Sequence, residues 1–94
     1  MVSEMTYGGL EALAIAVVKS ASEEYLKELK TLKRLRSRVA NAEDESHRRK
    51  LKADLVSQEG KVRNVERFFI TSPFVHILNA DGRYLMERLR KEVA

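Results

Sequence analysis

From Leu10 onward, apolar and polar residues alternate with a helical period, and neither Gly nor Pro interrupts the pattern before Gly60. Ile15, Val18, Tyr25, Leu29, Leu32 and Val39 recur in steps of three and four, with Ser22 and Arg36 at the seam positions that are not apolar. That spacing lines one face of an α-helix. Leu26 and Leu35 widen the stripe, as in a helix packed against more than one neighbour. The pattern predicts a first helix over about 9–40, roughly 45 Å long at ~1.5 Å per residue. Residues 1–5 read as a loose start, and Thr6, Gly8 and Gly9 precede the sustained pattern.

A polar stretch, Asn41 to Ser46, breaks the first stripe. Asn41 or Asp44 could cap a second helix, and Glu43, Asp44 and Glu45 suit its positive N-terminal end. Leu51, Leu55, Val62, Val65 and Phe69 continue a similar seam over about 45–71, interrupted by Gln58. Gly60 on its flank either weakens the helix locally or permits a close approach. A short polar turn between two long helices favours an antiparallel hairpin. Ser72-Pro73 is the clearest punctuation: proline disfavours helix at the residue before it, and the pair suits the N-cap and first position of a new helix. A short helix over about 73–78 should follow. Asn79-Ala80-Asp81-Gly82 then makes a turn, with Asp81 or Asn79 able to cap a final helix over about 82–93 that turns Tyr84, Leu85, Leu89 and Val93 inward. The expected fold class is all-α: a long antiparallel helical hairpin with a short C-terminal helical cap.

Length changes that picture by limiting the core. Ninety-four residues make a single helical domain over 1–94, and a chain of this size buries only about two-thirds of its unfolded surface. Cysteine is absent, so no disulfide reinforces the thin core, and helix packing and self-association remain. Hairpins of this type commonly complete a four-helix bundle by dimerising, which makes a homo-oligomer the expectation. Ile15, Val17, Val18, Leu26, Leu35 and Val56 are the candidate oligomer or partner interface. The most apolar early stretch, Leu10 to Val18, is interrupted by Glu11 and too short to span a bilayer. With no signal peptide visible, the expected location is cytoplasmic and no membrane partner is expected.

Charge adds one feature. The net charge is +4, and the positive residues are concentrated. Lys30, Lys33, Arg34, Arg36 and Arg38 lie late in the first helix, and Arg48, Arg49, Lys50 and Lys52 lie early in the second. A hairpin brings both runs to one end, around the acidic turn. Such a basic tip could bind nucleic acid or an acidic partner, with strong salt dependence. No aromatic residue is interleaved with it, which argues against stacking on single strands. Part of the charge has a structural use, since Glu23–Lys27, Asp44–Arg48 and Glu59–Arg63 have the favourable i,i+4 order.

Candidate chemistry is sparse. Ser72, Pro73, Phe74, Asp81, Gly82 and Tyr84 could present a recognition loop, but capping and turn chemistry explains their types as a structural cap closing the open end of the hairpin. His47 sits in a charged stretch and His76 in an apolar turn, neither with partners at metal-ligand spacing. No nucleophile motif, Gly-rich phosphate loop or paired-carboxylate pattern is present. No enzymatic activity, cofactor, metal or small-molecule substrate is therefore expected.

Three blocks carry a resemblance: Ala14-Ile-Ala-Val-Val-Lys-Ser-Ala-Ser-Glu-Glu-Tyr25, Phe68-Phe-Ile-Thr-Ser72, and Asp81-Gly82-Arg83-Tyr84-Leu85 with Leu89. Their order and spacing resemble small uncharacterised proteins encoded by phages and prophages of Gram-positive bacteria. Those share an early helix ending near an acidic residue and Tyr, a variable charged middle, and a motif of the type Phe-Phe-x-Ser-acidic-Trp-Phe-x-x-Leu, then Asp-Gly-x-Tyr-Leu. The likeness covers both ends but not the stretch from Leu26 to Arg67. Phe74 and Val75 stand where that family has Trp and Phe, and Pro73 replaces the acidic residue. The resemblance implies a phage origin and a bacterial host cell; together with the lack of catalytic groups and the surplus helical seam, it leads to the expectation of an accessory or regulatory protein. The leading expectation is that it binds a host or phage protein. The alternatives are a nucleic-acid-binding regulator or packaging factor using the basic tip, and a structural virion or assembly component.

Overall fold

The computed structural model describes residues 2–94, with side chains from residue 9 onward. Four helices follow in order: α1 (Val2–Asn41), α2 (Glu45–Thr71), α3 (Pro73–Ile77) and α4 (Gly82–Val93). The described residues contain no strand, and the fold is all-α. α1 and α2 form an antiparallel hairpin, and the molecule measures 65 × 20 × 16 Å. α1 begins seven residues earlier than the expected start at residue 9, running through the Gly8-Gly9 pair. Glycine lowers helix propensity but keeps its backbone N–H, so two of them weaken a helix without ending it.

On α1 the seam between the long helices keeps the expected Val18, Tyr25 and Leu32 but is displaced by one position at Ile15 and Leu29, where Ala14 and Glu28 are buried instead. Ala14, Val18, Tyr25, Glu28, Leu32 and Ala42 are its buried residues, facing Leu51, Gln58, Val62 and Phe69 of α2. Ile15 is 53 % exposed; Ala14 takes its place. Small and polar residues at Ala14, Ala21 and Glu28 hide this seam from an apolar count. Leu29, which looks like a seam residue, packs half-buried on the flank of the core. Gln58, which interrupts the α2 stripe, is buried and donates from Nε2 to the backbone carbonyl and the carboxylate Oε2 of Glu28, each at 3.1 Å. Buried polar groups persist when they are satisfied in this way.

Local chemistry places the turns. Asp44 is the N-cap of α2, its carboxylate accepting from the Ser46 N–H at 3.4 Å. Arg48 then clips the turn, donating to the Ala42 carbonyl and to Glu45. Ser72 serves both neighbours: its N–H closes α2 on the Phe68 carbonyl at 2.8 Å, and its hydroxyl accepts from the Phe74 N–H at 3.1 Å to start α3. α3 ends in a Schellman arrangement, with Ala80 N–H on the Val75 carbonyl and Asn79 N–H on the His76 carbonyl. Asn79 adopts the left-handed conformation this requires, at φ 56°.

Asp81 caps α4 by accepting from the N–H groups of Arg83 and Tyr84. α4 then returns along the hairpin, touching both α1 and α2. Gly82 lies against the backbone of Phe69, Arg90 reaches Tyr25 and Glu66, and the Val93 carbonyl accepts from Lys33 at 3.0 Å. α4 therefore runs from Phe69, at the open end of the hairpin, to the level of Lys33. Its buried contact is Met86, flanked by half-buried Leu85, Leu89 and Val93. Tyr84, expected to face inward, is exposed instead and sits beside Arg88, whose guanidinium donates to its hydroxyl at 3.1 Å. The inward stripe of α4 passes through Met86, and Tyr84 lies two residues, about 200°, away from it.

Candidate functional site

The turn brings both basic runs to one end, as the hairpin requires. Residues 30–52 hold nine Lys and Arg against three Asp and Glu, a net of +6 that exceeds the charge of the whole chain. Three of those cations have structural partners. Lys33 holds the C-terminal carbonyl of α4, Arg36 stands 3.9 Å from Glu59, and Arg48 belongs to the turn. Lys33 is thus a structural contact of α4 as well as a member of the basic tip. Lys30, Arg34, Arg38, Arg49, Lys50 and Lys52 are exposed, and among the described residues none of them forms an ion pair within 4.0 Å.

Where α4 stops, the space between α1 and α2 stays open. A groove of about 520 Å³ begins at Val93, floored by Leu29, Leu32 and Val62. Lys33, Arg36, Arg63 and Glu59 form its rim. Its walls continue toward the tip by helical spacing. On α2, Arg49, Lys52 and Val56 precede Glu59 and Arg63 in steps of three and four; on α1, Ala40 follows Arg36 at the same interval. Val56 on this wall is 63 % exposed. In the α3–α4 half both short helices pack on the hairpin, and the tip half is a two-helix stalk.

Beneath the groove's inner end, one side chain from each long element meets. Tyr25 is fully buried and donates its hydroxyl proton to Glu66 at 2.6 Å. Arg90 donates Nε–H to the Tyr25 oxygen and N–H to Glu66, both at 2.8 Å. Burial, followed by the hydrogen bond to Glu66, pushes the Tyr25 phenol up to about 12. Burial works to raise the Glu66 carboxyl, but the hydrogen bonds from Tyr25 and Arg90 outweigh it and hold the group below its ordinary value. Arg90 is raised by its bonds to Glu66 and Tyr25. Phe69 packs on Tyr25 with ring centroids 5.6 Å apart. These groups are each other's partners, so the cluster is a clasp fastening α4 to the hairpin. It was not foreseen from sequence, because its members are 24 to 65 residues apart and carry no motif.

The remaining candidates separate. Among the six interface residues, Val18 is buried in the core, which removes it from any external surface. Leu35 is half-buried three residues beyond seam residue Leu32. Val17 and Leu26 are half-buried, while Ile15 and Val56 are exposed. Exposed large apolar residues gather at the open end: Leu10, Leu13, Ile15, Ile70, Ile77 and Tyr84, with Val56 alone elsewhere among the described side chains. Ser72 and Asp81 are the N-caps of α3 and α4, Pro73 and Gly82 are the first residues of those helices, and Phe74 is half-buried against the core. His47 and His76 are both exposed. Among the described residues, no group of three or more His, Cys, Asp or Glu could hold a metal ion, and no helix is long and apolar enough to cross a membrane. No family model matches the chain, and no curated protein or solved structure matches it.

Proposed function

We propose that this protein is a non-catalytic module that acts by binding another protein. The supporting observation is the hairpin's third-helix position, filled by α4 over the open-end half and left as an apolar-floored, charge-rimmed groove beyond Val93. Such a surface suits a helix laid in a groove. The resemblance of the two ends to phage proteins supplies the setting, an accessory protein in the cytoplasm of a bacterial host. Exposed apolar residues at the open end favour self-association there, which sedimentation at several concentrations would reveal.

The test is capture of tagged protein from bacterial lysate with and without nuclease. A protein partner that survives nuclease is the expected result. The exposed cations of the tip favour a second reading, a nucleic-acid-binding regulator. Loss of every partner after nuclease, with duplex affinity that collapses as salt rises, would replace the first reading by the second.

A further inference from the structure

The groove changes sign where α4 ends. In the covered half, the hairpin offers Glu66 and the Tyr25 hydroxyl, and α4 answers with Arg90. Beyond Glu66 and Arg90 at its inner end, the groove is lined by Lys33, Arg36 and Arg63 around Glu59, and Arg49 and Lys52 follow on the same face of α2 by helical spacing. The floor is apolar through Leu29, Leu32 and Val62, and exposed Val56 stands on the α2 wall on the tip side of Glu59. α4 is itself basic, with four Arg and Lys against two Glu, so its charge suits only the half that it covers.

We infer that the open half of the groove is the docking site for an acidic amphipathic helix of the partner protein, laid end to end with α4. This rests on the protein-binding reading and gives the partner its chemistry. The open stretch from Lys33 to Asn41 is nine residues of α1, about 13 Å at ~1.5 Å per residue, which takes between two and three turns of a partner helix. Leucine-type residues on one face of that helix would cover Val56, Leu29 and Val62. Its carboxylates would meet the cationic rim, fixing orientation and speeding encounter. The tip's acidic turn, Glu43 to Glu45, marks the outer limit of the site by repelling carboxylates placed beyond it.

The test uses two synthetic helical peptides about three turns long, one with leucine on one face and glutamate on the other, the second with lysine replacing glutamate. Amide chemical shifts of the full chain are followed on titration. The acidic peptide should move signals of Lys33, Arg36, Lys52, Val56 and Arg63 and lose affinity as salt rises, while the basic peptide should not bind. Val56→Glu and Lys52→Glu/Arg63→Glu change only exposed side chains and should cut affinity about tenfold or more. Lys30→Glu/Arg34→Glu, the same charge change on the outer face of α1, should have a much smaller effect. Equal losses from both double variants would overturn the docking site, leaving only attraction to the whole basic tip. So would a short DNA duplex that displaces the peptide and shifts the tip signals more strongly. If a nuclease-resistant partner from lysate binds Val56→Glu and Lys52→Glu/Arg63→Glu as well as the natural chain, the groove assignment fails and the protein-binding reading stands. Absence of any protein partner would remove the broader reading instead.

Discussion

Two glycines occupy helices in very different surroundings. At Gly82, a Cβ would overlap the Phe69 carbonyl; at Gly60 it would meet nothing within 4 Å. Gly82→Ala must push α4 away from α2 and should lower stability by about 1–3 kcal/mol. Gly60→Ala should raise it by about 0.5–1 kcal/mol, since alanine suits a helix interior better and nothing obstructs it. Urea denaturation of both variants measures the contrast. Of the two readings of Gly60, the open space around it leaves only local weakening, and the close approach belongs to Gly82, because packing against a distant segment leaves no trace in neighbouring residues. The clasp sets a second expectation. Tyr25 keeps its proton to about 12 when folded, against an ordinary value of 10.0. The unfolded chain therefore ionises first, and stability present below pH 10.0 is lost as pH rises toward 12. Glu66, held below its ordinary value of 4.5, contributes stability above that value that is lost as pH falls through its lowered one. Denaturation midpoints across the alkaline range should fall less steeply in Tyr25→Phe.

Between α1 and α2 the seam is apolar except where Glu28 meets Gln58. Shifting the hairpin by one heptad would separate this pair and bury each partner alone, so it fixes the register. Gln58→Leu leaves the Glu28 carboxylate without its donor and should cost about 1–3 kcal/mol. Glu28→Leu with Gln58→Leu should recover that loss, as apolar replacement of both buried partners often does. Thermal unfolding of the two variants decides the point, and equal destabilisation in both would show that the pair adds only local packing. The boundaries of α2, α3 and α4 were legible in the sequence because Asp44, Ser72-Pro73 and Asp81 act on backbone groups a few residues away. The face of α1 was legible only in part, through Val18, Tyr25 and Leu32. Ala14 and Glu28 are buried by the partner helix rather than by their own hydrophobicity, while Ile15 is left outside because no element covers its side of α1. Of the binding surface, the basic tip was visible as composition, but the groove depends on where α4 ends relative to Lys33.

Along its 65 Å length, the molecule is supported unevenly. The open-end half packs α3 and α4 on the hairpin around Phe69, Val75 and Met86, whereas beyond the Arg36–Glu59 pair α1, the turn and α2 have only each other. Amides of that stalk should exchange with solvent through an opening of lower free energy than those near Tyr25, Val62 and Phe69. Hydrogen exchange measured residue by residue tests this, and uniform protection would mean the two halves open together. The separation of charge has a consequence for encounter rather than for binding strength. With +6 on residues 30–52 and −2 on all the others, the protein is an electric dipole laid along a rod. In the field of a negatively charged surface it would rotate before touching, arriving tip first, so added salt should slow its arrival far more than it hastens its departure.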